Sequence, residues 1–135
     1  MIIAIGSPST ATQEAYIHKV MASSAPTSRF SVQGRRAYDR PSVLLGALRR
    51  DAPATAVTIL VPVTTVEEVD AIRLMGGFIG HVYGPAHPSI KIKKSDLILA
   101  NPTAVRPKPC QVPPHELHAE LRTRLLAQRD RIGRG

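Results

Sequence analysis

Apolar positions along the chain come in two patterns, short unbroken aliphatic runs and a spacing near 3.6 residues. Met1-Ile2-Ile3-Ala4-Ile5 is a continuous aliphatic run that stops at Gly6-Ser7-Pro8-Ser9, a cluster of turn-forming residues. A helical stretch follows from about Ala11 to Ala22, in which Ile17, Val20 and Met21 share one face. Strand, short loop and helix in that order open a βαβ unit. Residues 23–42 are weakly patterned, and Arg29-Phe30-Ser31-Val32 reads as a short strand broken by Gln33-Gly34-Arg35-Arg36. Pro41 suits the first turn of a short helix through Arg50. That helix turns Val43, Leu44, Ala47 and Leu48 inward and stops at Asp51-Ala52-Pro53.

The clearest strand is Ala56-Val57-Thr58-Ile59-Leu60-Val61, bounded by Pro62. Thr64 or Thr65 caps the next helix, each with a glutamate three positions on (Glu67 or Glu68), the capping-box spacing. Val66, Val69, Ile72 and Leu74 or Met75 form its inward face, and Gly76-Gly77 ends it. A strand over 78–83, a loop over 84–94 and a last core strand over 96–100 come next. Residues 101–114 hold five prolines and predict no regular structure. A terminal helix over 115–131 carries Leu117, Leu121 and Leu125 inward and Glu120, Arg122, Arg124 and Arg129 outward, with Gly133-Arg134-Gly135 as a fraying end. Strands alternating with helices predict one α/β domain over 1–135, three layers around a mostly parallel, doubly wound sheet of about four to five strands.

Composition sharpens this picture. A chain of 135 residues buries roughly two thirds of its unfolded surface. Aromatic residues make up 4% and tryptophan is absent, so the core is aliphatic, as a buried parallel sheet requires. The single cysteine, Cys110, excludes an internal disulfide and a multi-cysteine metal site and points to a reducing compartment. Its proline-rich surroundings carry no nucleophile signature, so it reads as an inert thiol. No apolar run approaches the ~20 residues of a membrane span, and residues 1–5 lack a basic leader and a cleavage site. The expectation is a cytoplasmic protein. A net charge of +8 favours nucleic acid, nucleotides or acidic protein faces as partners, and equally fits a plain basic surface.

One set of motifs carries a resemblance. From residue 56 to 101 the order is aliphatic strand, acidic-capped helix, Gly-Gly, aliphatic strand, Gly-Pro, loop, then Ser-Asp-Leu-Ile-Leu-Ala-Asn. Glu68-x-x-Ala71-Ile72-x-x-x-Gly76-Gly77 and Asp96-Leu97-Ile98-x-x-Asn101 in this order resemble the C-terminal half of the bacteriophage deoxynucleoside monophosphate kinases, which are P-loop kinases. The resemblance covers about half of the chain and implies a truncated P-loop kinase-like fold, phage-encoded and working in the host cytoplasm.

The departures fall on the chemistry. A phosphate-binding loop of the form Gly-x4-Gly-Lys-Ser/Thr uses backbone amides to cradle phosphates, lysine to neutralise them and a hydroxyl to hold Mg²⁺. Counting from Gly6, this chain has Ala11, Thr12 and Gln13 at the last three defining positions. What survives is Gly6 with the small hydroxyl residues Ser7, Ser9, Thr10 and Thr12 before a helix N-terminus, a place that attracts an anion. Pro62-Val63-Thr64 stands where the family has Asp-Val-Arg, and Gly84-Pro85 where it has Arg-Pro. The segment between the first helix and the Val57 strand is also shorter than those kinases use to enclose the monophosphate. Arg29, Arg35, Arg36, Arg40, Arg49 and Arg50 make this a basic segment, which reads as a solvated surface; because those kinases hold the substrate phosphate with arginines from this part of the chain, the resemblance implies a remnant acceptor-phosphate site at Arg35, Arg36 and Arg40.

These readings lead to a non-catalytic, kinase-like protein with no catalytic residue or metal ligand assigned. It would bind a nucleotide or phosphate at the loop, or a host protein through the old scaffold. A divergent active kinase using ATP and Mg²⁺ is one alternative, with Arg35, Arg36 or the Lys91, Lys93 and Lys94 loop reaching the phosphates. A basic nucleic-acid-binding module is another, though only Phe30 and Tyr38 lie near the arginines as stacking residues. A homodimer through an apolar edge is open. His115 and His118 read as a solvated helix face, His81 as a hydrogen-bonded core or edge histidine, and His87 suggests nothing specific. Lysines alternating with Ile90 and Ile92 also suit the guarding of an edge strand.

Overall fold

Each of the aliphatic runs becomes a strand, and all of them pair in parallel. The computed structural model describes residues 1–49, 55–85, 87–103, 106 and 108–134. Its strands are β1 (Ile2–Gly6), β2 (Thr27–Arg29), β3 (Thr58–Val63), β4 (Phe78–Val82) and β5 (Leu97–Leu99), in the spatial order β2-β3-β1-β4-β5. The helices are α1 (Thr10–Met21), α2 (Arg40–Leu48), α3 (Val66–Leu74) and α4 (Leu117–Arg134), the last entered through a 3-10 turn at Pro114–Glu116.

Period-two alternation along β1 divides the core. Ile3 and Ile5 face Tyr16, Ile17 and Val20 of α1 and Leu117, Leu121 and Leu125 of α4. Ile2 and Ala4 face the other way, with Leu44 and Leu48 of α2 and Val69 and Ile72 of α3. The result is a three-layer α/β sandwich with a fully buried central strand, which is why its sequence is an unbroken aliphatic run. α1 leaves β1 on one face and α3 leaves β3 on the other. The carboxyl ends of β1 and β3 therefore flank a topological switch point, the usual place for a site in open α/β sheets.

Several boundaries differ from the sequence reading for identifiable reasons. β2 lies earlier than Arg29–Val32, because it pairs only with β3, in the register Thr27↔Thr58 to Arg29↔Leu60. β3 runs through Pro62 to Val63 instead of stopping before the proline. The Pro62 carbonyl accepts from the Gln33 side chain at 3.0 Å on the flank where β2 has already ended, so its missing N–H faces no strand. Met21, Ala47, Val66 and Leu74 are exposed rather than inward. The buried stripe of α1 is Gln13, Tyr16, Ile17 and Val20, and that of α3 includes Glu68 and Ala71. β4 ends at Val82 and β5 is limited to Leu97–Leu99. The helix end at Arg50, its stop at Asp51-Ala52-Pro53, the last residue Gly135, and Ala104, Val105 and Pro107 of the proline-rich stretch lie outside the described residues.

The Gly-Gly signal proves to be a Schellman cap. Gly77 N donates to Ile72 O at 2.9 Å and Gly76 N to Arg73 O at 3.0 Å, with Gly76 at φ +78. Thr65, not Thr64, is the N-cap of α3, its hydroxyl accepting from the Glu68 amide at 3.3 Å.

Candidate functional site

Two polar clusters lie at the carboxyl end of the sheet, and a third sits at the amino end of β5. The first is the β1–α1 connection. Only Ser7, Pro8 and Ser9 separate the end of β1 from the start of α1. Ser9 caps the helix, its hydroxyl accepting from Thr12 N at 3.3 Å, and the Ser7 hydroxyl accepts from Ser9 N at 3.2 Å. Two of the amides that would face an anion are thus already satisfied by the loop's own hydroxyls. Ser7 is buried, while Ser9 and Thr10 are exposed and Thr12 is half-buried in the first turn.

Gln13 closes the switch point itself. It is buried, and its Nε2 donates to Ile5 O at 2.6 Å and to Val63 O at 2.9 Å, tying the carboxyl ends of β1 and β3 together. This is the position at which a phosphate-binding loop carries its metal-holding hydroxyl. Sequence periodicity held the clue, since Gln13 stands on the same i, i+3, i+4, i+7 stripe as Tyr16, Ile17 and Val20.

The second cluster surrounds Glu68, which has no exposed surface. Its Oε1 accepts from Thr65 Oγ1 at 2.9 Å, Thr64 Oγ1 at 3.3 Å and Arg40 Nη1 at 3.4 Å, and its Oε2 from Gln33 Nε2 at 2.8 Å. Arg40 also donates to Thr64 Oγ1 through Nη1 at 3.2 Å, and to Arg35 O through Nε and Gln33 O through Nη2, both at 3.0 Å. Of the three arginines expected at an acceptor phosphate, Arg40 is therefore absorbed into the frame, and only Arg35 and Arg36 remain exposed. Arg29, also in the basic segment, pairs with Glu14 at 2.5 Å. Arg50 of that segment lies outside the described residues.

The third cluster joins β4, β5 and α3. Asp96 is held by the Arg73 guanidinium through two bonds of 2.6 and 2.8 Å, by the Lys93 amide at 2.9 Å and by His81 Nε2 at 2.8 Å. Burial alone would raise the Asp96 carboxyl, but the bonds from Arg73, the Lys93 amide and His81, with the Arg73 charge, outweigh it. The group stays below the usual carboxylate range and is ionised. His81 is buried and hydrogen-bonded, as expected of it. Beside it, at the carboxyl ends of β1 and β4, opens a cleft of about 330 Å³ lined by Gly6, Ser7, His81, Tyr83, Ile98 and Lys108 among others.

The two helix histidines do not converge. His118 Nδ1 lies 2.7 Å from the buried Thr58 hydroxyl, whereas His115 is exposed. No group of three or more His, Cys, Asp or Glu among the described residues could hold a metal ion. Nor is any helix among them long and apolar enough to cross a membrane. No protein-family model, curated protein or solved structure matches the chain.

Proposed function

We propose that the chain is a non-catalytic relative of the phage nucleoside monophosphate kinases, working by binding, with a host protein as its partner, rather than by phosphoryl transfer. The observation that carries this reading is the Gln13 side chain bonded to Ile5 O and Val63 O at the switch point. Phosphoryl-transfer catalysis is almost wholly positioning and electrostatic stabilisation, supplied by lysine, metal and amide donors. Here the metal-holding position is occupied by an amide that serves the frame, and the loop's hydroxyls serve its own amides. A self-closed loop favours docking over a nucleotide seated at Gly6–Thr12.

The residues that carry the resemblance support the same reading, because they hold the architecture. Glu68 anchors the start of α3, Gly76 and Gly77 end it, and Asp96 links three elements. Asn101 accepts from Thr103 N at 3.0 Å and donates to Tyr83 O at 3.4 Å. A scaffold kept while its phosphate grip was lost is what a binding role requires.

Incubation with ATP, Mg²⁺ and each deoxynucleoside monophosphate tests the proposal. The expected result is no product, with the amide resonances of Ser9 to Thr12 unmoved by ATP. Turnover that disappears on substitution of a residue between Ser7 and Gln13 would overturn it.

A further inference from the structure

The cleft beside His81 shares Gly6 and Ser7 with the β1–α1 loop, but its other walls lie outside the kinase-derived reading and have a chemistry of their own. His81 Nε2 faces an ionised carboxylate, which can only accept, so Nε2 carries the proton. The two-bond fork from Arg73 fixes that carboxylate and through it the plane of the imidazole. The other ring nitrogen, Nδ1, turns towards Gly6, which is paired with His81 across β1 and β4. A Cβ built on Gly6 would lie 3.8 Å from Nδ1. No described group bonds Nδ1.

The rest of the lining sets the ligand's character. Tyr83, Val82, Ile92 and Ile98 make it mainly apolar, and Lys108 lies 5.6 Å from the centre of the Tyr83 ring. None of the described lining residues is acidic. The volume falls at the lower end of the range for small-molecule sites, about 300–1,000 Å³.

We propose that this cleft binds a small organic anion, a carboxylate or phosphate monoester on a flat apolar body, with His81 Nδ1 meeting the charged group. With a proton on Nδ1 as well, the ring donates to the anion in a charge-assisted bond. Asp96, behind Nε2, stabilises the resulting imidazolium, the role a buried carboxylate plays behind any such ring. Lys108 supplies the second positive charge, and Tyr83 and Ile98 pack against the apolar body. The inference does not depend on kinase ancestry or on a protein partner.

Titration of the full chain with benzoate, phenyl phosphate and inorganic phosphate, followed by histidine ring NMR, tests it. The expected result is saturable binding of benzoate or phenyl phosphate that moves the His81 ring resonances, with inorganic phosphate at least about tenfold weaker. His81→Gln keeps an amide nitrogen where Nε2 donates to Asp96 but has no atom at Nδ1, and it should weaken binding by about tenfold or more. Gly6→Ala places its methyl in ordinary contact beside Nδ1, keeps the fold and narrows the cleft, so binding should also fall. The proposal is overturned if neither organic probe binds saturably in the millimolar range or if inorganic phosphate binds as tightly. Binding that both variants leave unchanged overturns it as well.

Discussion

At the scale of single residues, the polar side chains that matter most are the ones turned into the core. Gln13 bridges two backbone carbonyls from strands that no other side chain joins at that point. Truncation in Gln13→Ala should cost roughly 1–3 kcal/mol, the penalty of leaving buried acceptors with one partner fewer. Gln13→Glu separates charge from shape. A protonated carboxyl can still donate to one carbonyl, but an ionised one faces two oxygens, so its folded pKa must lie above the unfolded value. Its stability is then fully present below about pH 4.3 and is lost as pH rises through the folded pKa. Urea unfolding of the two variants across pH should give a flat difference for alanine and a growing one for glutamate. An equal, pH-independent loss in both would mean that the bridge is not what holds the position. Gly80 offers a contrasting steric test. A Cβ there would sit 2.7 Å from Leu99 Cδ1 and 3.1 Å from Ile3 Cδ1, so Gly80→Ala should destabilise by about 1–3 kcal/mol through overpacking.

At the scale of elements, legibility followed the strength of the local signal. α3 could be placed closely because its cap and its glycine stop agree, although Val66 and Leu74 of its expected apolar face are exposed. α4 was equally plain, since Leu117, Leu121 and Leu125 recur every four residues and all are buried. β2 was misplaced because Thr27–Arg29 is a three-residue edge strand with no buried residue, held by its pairing with β3 and by the Arg29–Glu14 ion pair to α1. Its position is a tertiary fact, invisible to periodicity. In the candidate site, the lack of Gly-Lys-Ser/Thr at positions 11 to 13 was legible from residue identity alone. Gln13 as a bridge, Arg40 as a frame residue and the Asp96 link were not, because each depends on partners 15 to 50 positions away. The β1–α1 loop turns this into a prediction. Introducing a phosphate-binding motif by the triple substitution A11G/T12K/Q13T should produce no ATP affinity, since the helix already begins at Thr10 and three residues cannot wrap a phosphate chain. It should also lower stability, because the Gln13 bridge is lost. Saturable ATP binding by the triple variant, measured by calorimetry, would show that loop length is not limiting.

At the scale of the whole molecule, the helical layer of α1 and α4 is tied to the far end of the sheet by one titratable bond. His118 of α4 lies 2.7 Å from Thr58 Oγ1 at the start of β3, near the Met1 ammonium, which donates to Val57 O at 2.7 Å. Burial, then the charges of Arg122 and the N-terminal ammonium, push His118 below its usual value. A histidine whose folded pKa is depressed binds fewer protons folded than unfolded at mildly acidic pH. The stability it allows is therefore fully present above about pH 6.5 and is lost as pH falls through the folded value. Asp96 adds a second acid loss at lower pH. Its depressed carboxyl contributes stability above the unfolded carboxylate range that disappears as the group protonates, releasing Arg73 and His81. The two losses are separable because they lie on opposite sides of the sheet. His118→Asn puts an amide nitrogen where Nδ1 sits, so it keeps a bond to Thr58 without a titrating ring. Urea midpoints compared at about pH 7.5 and about pH 5.5 should fall for the natural sequence and hold nearly level for this variant, while both still unfold in the carboxylate range. If the variant shows the same drop between those two conditions, the mild-acid sensitivity belongs elsewhere and the α4–β3 link is not its origin.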